Sequence, residues 1–442
     1  IVRSPWTGGA LFSARAIAPR AAAAHRSGRV PLGATDTSSS TRDRVGAAET
    51  PFALDGGGRD GERNRGFATA SATCAQAASV SFDDAEPVNP FTIVNDELGA
   101  ISARMRRAVT SEVPALATAA EYFFKVGAEG KRMRPTVLLL MASALTNVSG
   151  GGPGGTAALD RRAWAGIDHA PAHQEPGDVR RRQQRLAEIT ELIHVASLLH
   201  DDVLDHAATR RGLRALNLEV GNKLAILAGD FLLARASVTL ASLRNTEVIA
   251  LLSRVLEHLV TGEVMQMTAK ADRLTSFDHY FQKTYFKTAS LIANSAKAIV
   301  LLGGHDVTTA ESAYQYGRHL GLAFQFQDDV LDFTGTGSVL GKPTLGDLRE
   351  GIATAPVLFA AEEHEGLGAL IERRFKNVGD VETAHDWVKR SKGIERTKAL
   401  AREHSAEAVR AIESLPPIDC PHAMRCRKGL KELAYMAVNR IK

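Results

Sequence analysis

The pentapeptide Asp-Asp-Val-Leu-Asp occurs twice, at Asp201–Asp205 and at Asp328–Asp332, and both copies are embedded in apolar sequence. Ala196-Ser197-Leu198-Leu199 leads into the first copy and Leu322-Ala323-Phe324 into the second. Burying unpaired carboxylates is costly, so neither copy reads as a solvated helix face. On a helix the first and last Asp of each copy stand one turn apart on one face. Carboxylates held that close repel unless a cation lies between them. Hard oxygen donors of this kind suit Mg2+, which keeps several waters and shares its shell with substrate phosphates. The second copy begins 127 residues after the first, enough for several helices to turn the two acidic faces toward each other. The pair therefore points to two metal sites and to chemistry on diphosphate esters.

The sequence around the copies is helical in pattern. From Asn89 onward apolar residues recur at helical spacing, with few strand-like alternations. Helices are expected over 95–109, 186–203, 223–243, 246–267, 277–302 and 309–331, several of them apolar over most of their surface, as in a bundle interior. The fold class is all-α. A surface insertion is expected over 148–185, where Gly150 to Gly155 is nearly all Gly and the following stretch is polar with scattered Pro. Residues 1–88 read as a leader, because Arg3, Arg15, Arg20, Arg26 and Arg29 precede the first acidic residue, Asp36. That is transit-peptide composition, with a mitochondrial address favoured by the Arg content and a plastid one as the alternative. The catalytic domain is expected over 89–442.

Residues 1–80 hold 10 Lys/Arg against 6 Asp/Glu, leaving 44 of each in the rest of the chain. A neutral folded part does not ask for a nucleic-acid partner. The three cysteines, Cys74, Cys420 and Cys426, match neither a zinc pattern nor a disulfide framework. No unbroken apolar run reaches the roughly 18 residues of a membrane span, which leaves weak membrane association as the most to expect.

Cations follow the acidic copies. Gly130-Lys131-Arg132-Met133-Arg134-Pro135 groups three positive charges, Thr209-Arg210-Arg211-Gly212 follows the first copy, and Lys287-Thr288 and Gly341-Lys342-Pro343 flank the second. Singly, each reads as a solvated surface charge. Together they outline two anion pockets, one metal-bound and one held by Arg and Lys alone, since Arg offers phosphate a bidentate fork and Lys a point charge. His194 lies two helical turns before Asp201 on the same face.

In content and order these motifs resemble the trans-prenyltransferases, the polyprenyl diphosphate synthases, over about residues 90–442. The series is Gly-Lys-Arg-x-Arg-Pro, then Glu191-x-x-His194-x-x-Ser197-Leu198-x-His200-Asp201-Asp202, then Thr-Arg-Arg-Gly. Gly262-Glu263-x-x-Gln266, Lys287-Thr288, Phe324-Gln325-x-x-Asp328-Asp329 and Gly341-Lys342-Pro343 complete it. The long-chain branch of quinone pathways is the most similar in character. The resemblance implies a single large helical bundle around a central cavity. It implies that Asp201, Asp205 and Asp328 bind Mg2+ carrying an allylic diphosphate, with Asp202, Asp329 and Asp332 in support. Arg210, Lys287, Thr288 and Lys342 would contact that diphosphate and Gln325 would face the reacting centre. Lys131, Arg134, His194 and Arg211 would hold isopentenyl diphosphate.

The implied reaction is ionisation of the allylic diphosphate, attack by the isopentenyl double bond, and loss of a proton to the departing diphosphate. Growth of the product runs down the helix that bears Asp201. Bulky aromatics at the places of Ala196 and Ser197 stop it early in the family; both are small here, so the expected product is about C45–C50, with a medium-chain, geranylgeranyl-type product as the alternative. Two departures stand out. His206 replaces an Asp common after the first cluster, and Ile352 replaces a Lys of many short-chain members. A homodimer or a heteromer is expected, the latter including a non-catalytic subunit as a rival. A terpene cyclase would need no second anion pocket, which the Gly130–Pro135 motif argues against.

Overall fold

The computed structural model describes residues 88–108, 113, 114, 116, 119, 122, 132–146, 176–210, 213–335 and 345–440. Among them the chain is all-α apart from one two-residue strand pair. Its helices include α1 (Asn95–Ala108), α2 (Met133–Ser143), α3 (Pro176–Leu204), α4 (Asn222–Ser242), α5 (Thr246–Thr268) and α6 (Phe277–Thr284). They continue with α7 (Ser290–Leu302), α8 (Val307–Thr334), α9 (Ala355–Ala361), α10 (Gly393–Glu413) and α11 (Pro421–Asn439).

Local chemistry sets the starts. Asn245 opens α5 by accepting from the Val248 amide (2.9 Å), and Asp306 opens α8 by accepting from the Thr309 amide (2.9 Å) and hydroxyl (2.8 Å). Pro421 stands at the first position of α11, where its missing N–H costs nothing. α3 begins ten residues before the expected Leu186, inside the span read as insertion. Its extra turns are polar because they carry specific bonds: Arg180 is bidentate to Glu97 (2.8 and 2.6 Å), and Arg182 donates to the Leu243 carbonyl (2.7 Å). The Gly-rich part of the insertion and the leader lie outside the described residues.

The expected helix over 277–302 is interrupted by a π turn, Tyr285–Ala289, between α6 and α7. Widened turns of this kind recur at functional sites. Here the turn carries Lys287 and Thr288. α8 packs against it and also against α7 and α10. A Cβ at Gly321 would lie 2.6 Å from the Ala289 Cα, so only glycine lets the two backbones approach this closely. α8 also joins the two hydrophobic cores. Tyr316 and Leu320 enter the one built from α1–α5, α7, α10 and α11, while Leu322, Phe326 and Phe333 enter the one around α6 and α9.

α4 corrects one expectation: it contains an 18-residue stretch long and apolar enough to cross a membrane by length and composition. Asp230 and Arg235 interrupt the apolar run, so the stretch escapes a search for unbroken apolar residues. In the fold α4 is a bundle helix packed along α3.

Candidate active site

The first acidic copy ends α3, with Asp201 and Asp202 in the last helical turn and Asp205 in the turn beyond. The C-terminal end of a helix carries partial negative charge, a poor place for carboxylates without a cation. Burial pushes the Asp201 carboxyl up to about 6; Glu263 and Asp205 add to the rise, and Lys287 and Arg210 oppose it. Asp205 is raised for the same leading reason, with Lys287 again opposing. Five charged groups from four segments therefore share one field.

Two of the cations are already engaged. Lys287 forms an ion pair with Glu263, next to the close approach of Gly262 to the Lys287 side chain. Arg210, expected on the allylic diphosphate, donates through Nε (2.9 Å) and Nη2 to Oδ1 of Asp202. The short strand Thr209–Arg210, paired with Leu213–Arg214, folds the chain back far enough to allow this. Asp202 is 1% exposed, and its Oδ2 has no hydrogen-bond partner among the described residues.

The second copy lies inside α8 and its carboxylates part ways. Asp328 is 43% exposed and pairs with Arg440 (2.6 Å), whose guanidinium stacks on Phe324 (3.6 Å) and donates to the Phe324 carbonyl (2.7 Å). Asp329 is buried and accepts from the Tyr280 hydroxyl, from Gln325 Nε2 (3.0 Å) and from the Ala355 amide (3.3 Å); burial raises it to about 6. Asp332 accepts from the amides of Gly346 (2.9 Å) and Asp347 (3.3 Å), capping the short helix Gly346–Arg349. In both copies the second Asp is the buried one, bound to protein donors.

The π turn connects the copies. Lys287 acts on Asp201 and Asp205, while the neighbouring Thr288 hydroxyl donates to Gln325 Oε1 (3.0 Å), and Gln325 in turn holds Asp329. Among the described residues no three His, Cys, Asp or Glu side chains converge to hold a metal alone. That donor set nevertheless fits a hard ion that completes its shell with phosphate oxygens. Half-buried carboxylates displaced toward neutrality and the orphaned Oδ2 of Asp202 would both gain from a bound cation.

Of the residues expected to hold isopentenyl diphosphate, Lys131 and Arg211 lie outside the described residues, as does Lys342 of the allylic set. Arg134 opens α2, which packs on α3, and His194 is half-buried on α3 two turns before Asp201. Ser197 is half-buried, its hydroxyl donating to the His194 carbonyl (2.9 Å), whereas Ala196 is wholly buried in the core. Sequence spacing gave no role to Glu263, Tyr280, Lys283, Asp347 or Arg440. Only the first was even inside a motif, and the rest reach the site through contacts long in sequence.

The polyprenyl synthetase family model matches residues 113–388. Over 357 residues the chain is 53% identical to solanesyl-diphosphate synthase 1, mitochondrial, of Oryza sativa, covering 81% of this chain and 80% of that one. It is 49% identical over 357 residues to solanesyl diphosphate synthase 3, chloroplastic/mitochondrial, of Arabidopsis thaliana, covering 81% of each. Among solved structures, a polyprenyl synthase from Caulobacter crescentus complexed with calcium and isoprenyl diphosphate matches with a TM-score of 0.66 and 29% identity. That match covers 81% of this chain and 100% of that one.

Proposed function

The chain belongs to the polyprenyl synthetase family and is a trans-prenyltransferase, and on that premise we propose that it builds a long all-trans polyprenyl diphosphate for a quinone side chain. It does so by repeated condensation of isopentenyl diphosphate onto an allylic diphosphate. One observation carries the reading: Asp201 and Asp205 share a field with Lys287, and the adjacent Thr288 reaches the second acidic copy through Gln325.

Magnesium ions held by Asp201, Asp205 and Asp328 would neutralise the charge that develops on the leaving diphosphate. Lys287 adds a fixed positive charge on the same side, a preorganised electrostatic contribution. Arg210 and Glu263 hold Asp202 and Lys287 in place. Thr288 and Gln325 orient the second copy against the first. Lys131, Arg134, His194 and Arg211 supply the metal-free pocket for isopentenyl diphosphate. The calcium and isoprenyl diphosphate of the Caulobacter structure support a divalent ion and a diphosphate at such a site.

The half-buried Ser197 supports growth past it down α3, toward about C45–C50. Ser197→Phe is expected to shorten the product by several isoprene units, read by mass spectrometry. Mitochondrial placement agrees with the Arg-rich leader and with the rice enzyme's name, and the Arabidopsis name carries the plastid alternative. A homodimer is supported by exposed apolar side chains on two helices, Leu227 (56%) and Val238 (65%) on α4 and Val260 (66%) and Met267 (59%) on α5.

The test is direct. Purified protein incubated with isopentenyl diphosphate, an allylic primer and Mg2+ should elongate the primer by itself. Elongation only after a second, different subunit is added would overturn the reading of a self-sufficient enzyme.

A further inference from the structure

Lys283 lies one turn before Lys287, on the same side of the α6–π turn segment. Its surroundings are unusual for a lysine. Burial pulls its ammonium below the ordinary lysine range, while Asp329, Asp347 and Glu263 favour the charge and Lys287 opposes it. Carboxylates of both halves of the site thus act on it. None of them makes an ion pair or hydrogen bond with it among the described residues, and its ammonium stands 5.5 Å over the Tyr280 ring. Removing an ammonium from water without a contact partner is unfavourable. Asp329 is already engaged by the Tyr280 hydroxyl, Gln325 and the Ala355 amide.

We propose that Lys283 is an additional diphosphate-binding residue, its ammonium completing with Lys287 a two-lysine clamp on the allylic diphosphate. This rests on the prenyltransferase reading of the same site. An anion arriving between the acidic copies brings the contact partner that the protein itself does not supply, and Lys is suited to this as a point charge with a reach of four carbons. The ring of Tyr280 beneath the ammonium holds it in place without neutralising it. Ile352 offers a second place for a charge: its amide donates to the backbone carbonyl of Asp347 (2.8 Å), a residue whose carboxylate acts on Lys283.

The experiment measures binding of inorganic pyrophosphate with Mg2+ by calorimetry, alongside KM for each substrate. Lys283→Met is expected to weaken pyrophosphate binding and raise the allylic KM by about tenfold, the scale of one charge-assisted contact. The isopentenyl KM should stay within about twofold, because that pocket is built from other cations. Lys283→Arg should keep most of the affinity, and Lys283→Met combined with Ile352→Lys should recover part of it. A Lys283→Met protein that binds pyrophosphate as tightly as wild type overturns the proposal, whatever its melting temperature. If that variant does not fold, wild type answers: pyrophosphate with Mg2+ should protect Lys283 from reductive methylation several-fold, and unchanged reactivity overturns the proposal. Wild type that fails to bind pyrophosphate at all would sink the prenyltransferase reading, whereas tight binding indifferent to Lys283 sinks only the clamp.

Discussion

The same five residues, Asp-Asp-Val-Leu-Asp, meet two different fates in this molecule. At 201–205 the pentapeptide closes a helix, so Asp201 and Asp205 look out from its end into a field shared with Glu263, Lys287 and Arg210. At 328–332 it runs inside α8, which continues to Thr334, so Asp328 and Asp332 share one face while Asp329 turns into the core. One is exposed to Arg440, one is buried on Tyr280, and one caps the helix Gly346–Arg349. The difference shows that a repeated motif need not be a repeated site. The first copy gathers charged groups into one field, and the second also organises the segment that follows it.

The contrast can be broken by substitution. Asp201→Asn should cost about 10²–10³-fold in kcat, as removal of a main electrostatic group does. Asp328→Asn, on an exposed carboxylate already shared with Arg440, should cost at least several-fold less. Equal losses in steady-state assays would mean that the two copies are equivalent after all.

The buried second Asp of each copy predicts a stability effect instead. Arg210→Met leaves Asp202 charged, 1% exposed and without its cation, which should destabilise the fold by about 3–5 kcal/mol in denaturant melts. A melt like that of wild type would show that the Asp202–Arg210 pair is dispensable to the fold.

A smaller effect follows from pH. Asp201 and Asp329 titrate near 6 in the fold against 3.8 ordinarily. A raised carboxyl pKa means that the folded state holds its proton more tightly than the unfolded one. Stability without divalent ions should therefore fall as pH rises from about 4 through 6, and stay reduced above that. Thermal melts in chelator should show Tm dropping by about 2 °C or more between pH 5 and pH 7. Asp201→Asn should flatten the profile, and Mg2+ should reverse it if that ion binds the carboxylates. The smallest effect concerns Arg440. Because it competes with any cation at the half-exposed Asp328, Arg440→Ala should lower the Mg2+ concentration for half-maximal activity by about two- to threefold. A rise would show that Arg440 assists the site rather than shielding it.

Much of this was legible residue by residue. Apolar spacing placed α1, α4, α5 and α8 within about three residues of their observed ends, because a helix buries a face whatever it packs against. Periodicity could not see the first turns of α3, where the pattern is polar and the stabilising partners, Glu97 and Leu243, lie far along the chain. Nor could it see the π turn, which inserts one residue without disturbing apolar content.

The amino-acid sequence by itself determined the fold class, the two acidic copies and the cations that accompany them, because helical periodicity and charge clusters are local properties. The tertiary structure alone decided how those groups are shared out. It gave Arg210 to Asp202, Arg440 to Asp328 and Tyr280 to Asp329, 49 residues away, and it set Lys283 between both halves of the site. Those assignments depend on how closely helices approach, as where Gly321 meets Ala289, and on how much water each carboxylate loses. Neither quantity is written in the spacing of residues along the chain.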